Sequence, residues 1–315
     1  MEENLQETLQ QSIETVSAPQ PEVLRLRKQN KLLRLICGLL AFCLLLSLGI
    51  TAWTVTQRRK PTGSAEPNRE GQIRIGDTWL DILEGLKPSS LKAEQFVLGA
   101  DGRISYSGEP RPLFGIDVSH HQGRINWSAV AADGVEFALI RMGYRGYSQG
   151  GIMTDKSFAY NLEQAQSSGI AVGLYFFSQA VTVEEAQEEA RYLLAGLGDT
   201  QIAGPIVFDW EEIAGTDART DYVKRETLTD MAAAFCAEIE SAGHRGMVYF
   251  NQETGYFHYD LSRLEQYGFW LAEYKSHPSF YYDFDIWQYS STGRVAGIEG
   301  SVDLNLCFGD YFAAG

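Results

Sequence analysis

The chain has 315 residues, a formal net charge of −15, 44% hydrophobic residues and four cysteines. This hydrophobic share is too high for a disordered protein, and four cysteines are too few for a disulfide-stapled miniprotein. The acidic balance argues against nucleic acid as a partner, because binding to a phosphate backbone depends on lysine and arginine.

The N-terminal segment, residues 1–34, is polar and electrically neutral. It holds five acidic and five basic side chains, and Pro19 and Pro21 interrupt any helix within it. Low hydrophobicity and scattered charge are typical of disorder. We therefore expect a disordered cytoplasmic tail.

Residues 35–57 form an apolar segment without a single charged side chain. A helix of this length spans a hydrocarbon core of about 30 Å. A cleaved signal peptide fits less well, because 34 residues precede the segment and no Ala-x-Ala pattern ends it. Five basic residues lie before it, between Arg25 and Arg34, against three at 58–60. The bias predicts a single-pass signal anchor in the cell membrane, with the residues after it outside the cell.

Residues 58–111 are interpreted as a linker and a neck region. Residues 61–72 are rich in Pro, Gly and charge, which is typical of a linker. Residues 73–112 contain enough apolar side chains for a small helix or hairpin. We expect this part to pack on the domain that follows.

From residue 112 to the end, short β-rich apolar runs alternate with polar, helix-prone segments. The predicted strands are 113–119, 137–144, 171–179, 204–211, 246–252, 269–274, 284–290 and 302–308. The predicted helices are 156–168, 183–197 and 225–242. Helices fall between the early strands and only short connections join the last three, so the pattern predicts an α/β barrel that is incomplete on one side.

Four acids lie on the predicted strands of this barrel: Asp117, Asp209, Glu211 and Asp303. Because side chains alternate along a strand, Asp209 and Glu211 face the same way and Trp210 faces the opposite way. Crowded carboxylates retain a proton near neutral pH, and a held proton beside a negative charge suits glycosidic cleavage. The alternative is that these acids cap loops or pair with arginines such as Arg141.

Aromatic side chains accompany the acids and are candidates for stacking on sugar rings. Together with Arg141, the predicted substrate contacts are Tyr175, Tyr249, Trp287 and Tyr289.

Five motifs, in this order, carry a resemblance to a known family. They are GIDVSHHQGRINW (115–127), FALIRMGYRG (137–146), the segment from DKSF to GIAVGLY (155–175), VFDWE (207–211) and IWQYS with VDLN (286–305). The set resembles the family 25 glycoside hydrolases, the Chalaropsis-type lysozymes, over about residues 112–312. The resemblance implies a flattened, incomplete (β/α)5(β)3 TIM-like barrel over 112–315, and a muramidase acting on peptidoglycan without a cofactor.

The resemblance also implies roles for the acids. Glu211 is expected to be the general acid/base, and Asp209 to orient the substrate's 2-acetamido group as it attacks the anomeric carbon. Asp117 and Asp303 are expected to line the same pocket. A direct nucleophile and an inverting water stay open at this point, as does a noncatalytic wall-binding module on the same fold and a glycosidase acting on chitin-like chains.

Two further features bear on metals and thiols. His120 and His121 are adjacent, so they are expected to point apart, and without a further ligand cluster no metal site is predicted. Cys236 and Cys307 could pair outside the cell or remain two buried thiols, since their spacing in the chain does not decide.

Overall fold

The computed structural model describes residues 70–213 and 217–312. The predicted tail and the predicted anchor, residues 1–34 and 35–57, lie outside the described residues. Within the described part, no helix combines the length and the apolar character that a membrane span requires.

All eight predicted barrel strands are present, and two short hairpins precede them. The strands are β1 Gln72–Ile75, β2 Thr78–Asp81, β3 Phe96–Leu98, β4 Ile104–Tyr106, β5 Leu113–Val118, β6 Phe137–Arg145, β7 Ile152–Thr154, β8 Ala171–Ser178, β9 Ile206–Trp210, β10 Gly246–Asn251, β11 Gly268–Ala272, β12 Ile286–Gly293 and β13 Val302–Cys307. The helices are α1 Trp127–Ala132, α2 Phe158–Ser167, α3 Val183–Leu197 and α4 Arg225–Ser241. After β10 the chain forms a short π-helix, Thr254–His258, and a 3₁₀ turn, Leu261–Arg263.

The sheet is a mixed barrel. Its hydrogen-bonded order is β5-β13-β12-β11-β10-β9-β8-β6, and a parallel pairing of β5 with β6 closes the ring. The incompleteness expected on one side therefore concerns the helical layer, which is missing between the last strands, and not the sheet. β13 runs antiparallel to both of its neighbours, β12 and β5.

The barrel has two apolar layers, as strand alternation requires. Outward side chains such as Ile116 and Phe208 join the helices in the larger core cluster. Inward side chains form a smaller cluster, with Phe137, Val207 and Met247 among its members. The interior is narrow: a β-carbon at Gly115 would lie 2.3 Å from the ring of Phe137. This inner cluster forms the floor under the open end of the barrel.

The region after the predicted linker packs on the barrel as two hairpins, β1–β2 and β3–β4. Partly buried side chains of both, including Leu80 and Phe96, lie against the larger core cluster. The rings of Phe96 and Trp287 form a T-shaped contact, with 5.4 Å between their centroids. This contact has a consequence for the site, because it covers an aromatic residue expected in the cleft.

Cys236 and Cys307 are both buried and both free. Of the two alternatives left open by the sequence, the structure contains the buried thiols.

Candidate active site

The four predicted acids line one pocket of about 220 Å³ at the carboxyl end of the parallel strands. Asp117 lies near the end of β5, Asp209 lies near the end of β9, and Glu211 follows directly. Asp303 is near the start of β13, but that strand is antiparallel and its residue 303 pairs with Asp117. Reversal of the last strand is what brings the fourth acid to the others.

Local geometry sets the direction of Glu211. Asp209 and Glu211 both line the pocket, while Trp210 is buried on the outer face and donates its indole N–H to the carbonyl of Ala180 at 3.1 Å. The buried Gln179 donates its side-chain amide to the backbone carbonyl of Glu211 at 2.6 Å. Two hydrogen bonds to the segment after β8 therefore fix the end of β9 and the position of Glu211.

Burial, assisted for three of the four acids by the charge of a neighbouring carboxylate, raises the pKa values of the acids. Burial, followed by the charge of Asp303, raises the pKa of Glu211 to about 7. Burial raises the pKa of Asp303 to about 6. Burial and then neighbouring carboxylates also raise the pKa of Asp117 and of Asp209 well above the ordinary aspartate range. At neutral pH the pocket thus retains protons beside negative charge.

Arg141 lines the pocket without forming an ion pair to any of the four acids. Its Nε and Nη2 atoms lie 2.9 and 2.8 Å from Oδ2 of the buried Asp155. Burial alone would raise the pKa of Asp155, but hydrogen bonds from Ser157, His120 and Arg141 bring it below its ordinary value. The charge of Arg141 lowers the pKa of Asp209 and so opposes the effect of burial there.

Two of the four predicted aromatic contacts lie in the pocket and two do not. Tyr175 and Tyr249 line it. The prediction was wrong for Trp287 and Tyr289, which belong to the outward core cluster. Both sit on the outer face of β12, where Trp287 donates to the carbonyl of Glu273 at 2.8 Å and Phe96 covers it.

Several pocket residues were not predicted. Trp270, Tyr274, Gln288, His121 and Phe177 also line the pocket. Asn305 lies behind it, fully buried and bonded to Asp117. Strand alternation could have found Asn305, because it is two residues from Asp303 on the same strand.

The expectation that the adjacent histidines point apart was wrong. The rings of His120 and His121 lie 4.1 Å apart, because both belong to the 3₁₀ turn His120–Gln122, where strand alternation does not apply. His120 Nδ1 lies 2.9 Å from Asp155 Oδ2 and 2.6 Å from Arg141 Nη2. Within residues 70–213 and 217–312, no group of three or more His, Cys, Asp or Glu side chains is arranged to hold a metal ion.

The sequence matches the model of the glycosyl hydrolases family 25 over residues 116–298, which is more than half of the chain. The chain belongs to this family. Lysozyme M1 of Streptomyces globisporus is 29% identical over 221 residues, covering 66% of this chain and 71% of that protein. The structure of the lysozyme from Streptomyces coelicolor has 26% sequence identity and a TM-score of 0.52, and the match covers 64% of this chain and 94% of the other.

A third comparison concerns the fold alone. The modular autolysin LytC of Streptococcus pneumoniae, solved in complex with a synthetic peptidoglycan ligand, has 23% identity and a TM-score of 0.54. The match covers 67% of this chain and 51% of the autolysin. Family 25 membership and the lysozymes among the relatives make this chain a glycoside hydrolase of the lysozyme type.

Proposed function

We propose that this family 25 hydrolase is an N-acetylmuramidase, which cleaves the β-1,4 bond between N-acetylmuramic acid and N-acetylglucosamine in peptidoglycan. The observation that carries the proposal is the pair Asp209 and Glu211, side by side in a pocket walled by Tyr175, Tyr249 and Trp270. Relatives named lysozymes and the peptidoglycan ligand of LytC support the choice of substrate.

In the proposed reaction, Glu211 begins as the acid. Its raised pKa, about 7, keeps a proton available for the oxygen of the leaving sugar. As the glycosidic bond breaks, the oxygen of the substrate's own 2-acetamido group attacks the anomeric carbon. Glu211, now ionised, takes a proton from the water that opens the resulting ring. One proton leaves the residue and one returns, so the site is restored.

Asp209 is proposed to orient the acetamido group and to balance its positive charge. Its side chain is buried, and Oδ1 has no hydrogen-bond partner among the described residues. A buried carboxylate oxygen without a donor is costly, and the N–H of a bound acetamido group would supply that donor. Asp117 and Asp303 contribute further charge to the same pocket.

Product analysis tests the substrate bond. The full chain in detergent, incubated with purified peptidoglycan, is expected to release fragments whose new reducing ends are muramic acid. Borohydride reduction and acid hydrolysis then yield muramitol. Glucosaminitol as the product would contradict the muramidase assignment, release from chitin but not from peptidoglycan would favour a chitin-type glycosidase, and glycan binding without release would favour a noncatalytic module.

We further propose that residues 35–57 hold the enzyme in the cell membrane with the catalytic domain facing the wall. The uncharged run and the basic excess before it support this orientation. The substitutions Leu45→Arg and Leu46→Arg together are expected to release the full chain from alkali-washed membranes, because each central arginine costs about 2.5–3.5 kcal/mol. Gln10→Arg with Gln11→Arg, the same charges in the tail, should leave it bound. Equal membrane retention of both pairs would contradict the anchor.

A further inference from the structure

A chain of buried hydrogen bonds lies behind Asp117. Its Oδ2 atom accepts from Nε2 of Gln288 and from Nδ2 of Asn305, each at 2.8 Å. Asn305 Oδ1 in turn accepts the indole N–H of Trp270 at 2.9 Å. All four side chains are buried, so water does not compete for these bonds.

Trp270 determines which way the amide of Asn305 faces. An indole N–H can only donate, so the atom that it contacts must be the amide oxygen. The amide nitrogen of Asn305 is then left to face Asp117. Reversal of the amide would place two N–H groups against each other on one side and two oxygens on the other.

Tyr249 and Tyr274 determine which way the amide of Gln288 faces. The hydroxyls of Tyr249 and Tyr274 donate to Gln288 Oε1 at 3.1 and 3.0 Å. Burial raises the pKa of both hydroxyls, so they stay protonated and remain donors. The two amides therefore present only N–H groups to Asp117.

We infer that Gln288 and Asn305 are positioning residues for the proposed muramidase reaction: they clamp the carboxyl group of Asp117 in one orientation, and Trp270, Tyr249 and Tyr274 fix the direction of the two amides in this clamp. This inference rests on the proposed function. Donors to a carboxylate favour its charged form, whereas crowding by other acids favours protonation. The two amides therefore oppose the rise in the pKa of Asp117 that burial and the neighbouring acids cause, and they fix the direction of its carboxyl group in the pocket.

Trp270→Phe tests the clamp, with Trp287→Phe as its matched control. Each change removes one buried indole hydrogen bond and keeps an aromatic ring, but Trp287 lies on the outer face of the barrel. Loss of one hydrogen bond predicts a fall in kcat of about 10-fold for Trp270→Phe, with KM within about 2-fold. Trp287→Phe should keep the wild-type kcat, although both variants lower the melting temperature.

The pH profile separates positioning from a loss of stability. Weaker donation to the ionised carboxylate raises the pKa of Asp117, so the acid limb of kcat should move to higher pH in Trp270→Phe and stay in place in Trp287→Phe. Equal kcat and equal profiles for the two variants would overturn the clamp. An inactive wild type would overturn the proposed function, and the clamp with it.

A second comparison uses the two tyrosines. Either hydroxyl alone still holds Gln288 Oε1, so Tyr249→Phe and Tyr274→Phe should each lower kcat by no more than about 3-fold, and the double variant by well over the product of the two. An effect of the double variant equal to that product would overturn the role given to the tyrosines.

Discussion

Glu211→Gln is expected to lower kcat for peptidoglycan hydrolysis by about 10²–10⁴-fold, the usual contribution of a positioned acid/base. Glutamine fills the same space and keeps the hydrogen bond from Gln179, which goes to the backbone carbonyl of residue 211. Its amide is neither acidic enough to give a proton to the leaving oxygen nor basic enough to take one from water. Binding of the glycan should change little, so the loss should appear in kcat and not in KM.

Glu212→Gln is the matched control for this prediction. It makes the same substitution at the next residue, which is outside the pocket and exposed, where Glu212 lies 3.2 Å from His258. An exposed ion pair contributes little, so this variant should keep the wild-type rate. A Glu211→Gln enzyme within tenfold of the wild type would place the acid on another residue.

The pH dependence of the wild type provides an independent check on Glu211. The pKa of Glu211 is raised to about 7, and the acid must carry its proton to act. The rate should therefore fall as pH rises through about 7, and this alkaline limb should be absent from the residual activity of Glu211→Gln.

Strand alternation explains how much of the site could be predicted. The motif Asp209-Trp210-Glu211 itself indicates which face of the strand carries the site, because alternation places both acids on one face and the tryptophan on the other. The sequence of β12 gives no such indication. Trp287 and Gln288 are on opposite faces, and it is Gln288, not the predicted Trp287, that lines the pocket. Phe96, far away in the sequence, covers Trp287, and that contact depends on the packing of the hairpins.

The fold was predictable to the extent that local signals define it. The helix predicted over 183–197 has those bounds, since Thr182 caps its start and Gly198 ends it. The antiparallel direction of β13 follows from its short connection to β12, residues 294–301, because a parallel pair needs a crossover of about a dozen residues or more. That direction places Asp303 at the same end of the barrel as Asp117, with which it pairs, as the motif resemblance implied.

Asp209→Asn is expected to lower kcat by about 10²–10³-fold, the usual effect of removing one preorganised electrostatic contact. The amide keeps the shape of the side chain but loses the charge that would balance the positive ring formed from the acetamido group. In the wild type, the Asp209 carboxylate is buried beside Glu211 and its Oδ1 atom has no hydrogen-bond partner among the described residues, so little water screens its charge. Asp285→Asn is the matched control: Asp285 is half-buried and its pKa is also raised, to about 6, but it lies outside the pocket.

The stereochemistry of the first product, read by ¹H NMR immediately after cleavage, distinguishes the three possible routes together with this variant. Assistance by the acetamido group predicts that the first product is the β-anomer and that added azide does not increase the residual rate of Asp209→Asn. If Asp209 were a direct nucleophile, Asp209→Ala would be rescued by azide with formation of a glycosyl azide. If water attacked directly, the first product would be the α-anomer. Either of the last two results would contradict the role proposed here for Asp209, while leaving Glu211 as the acid.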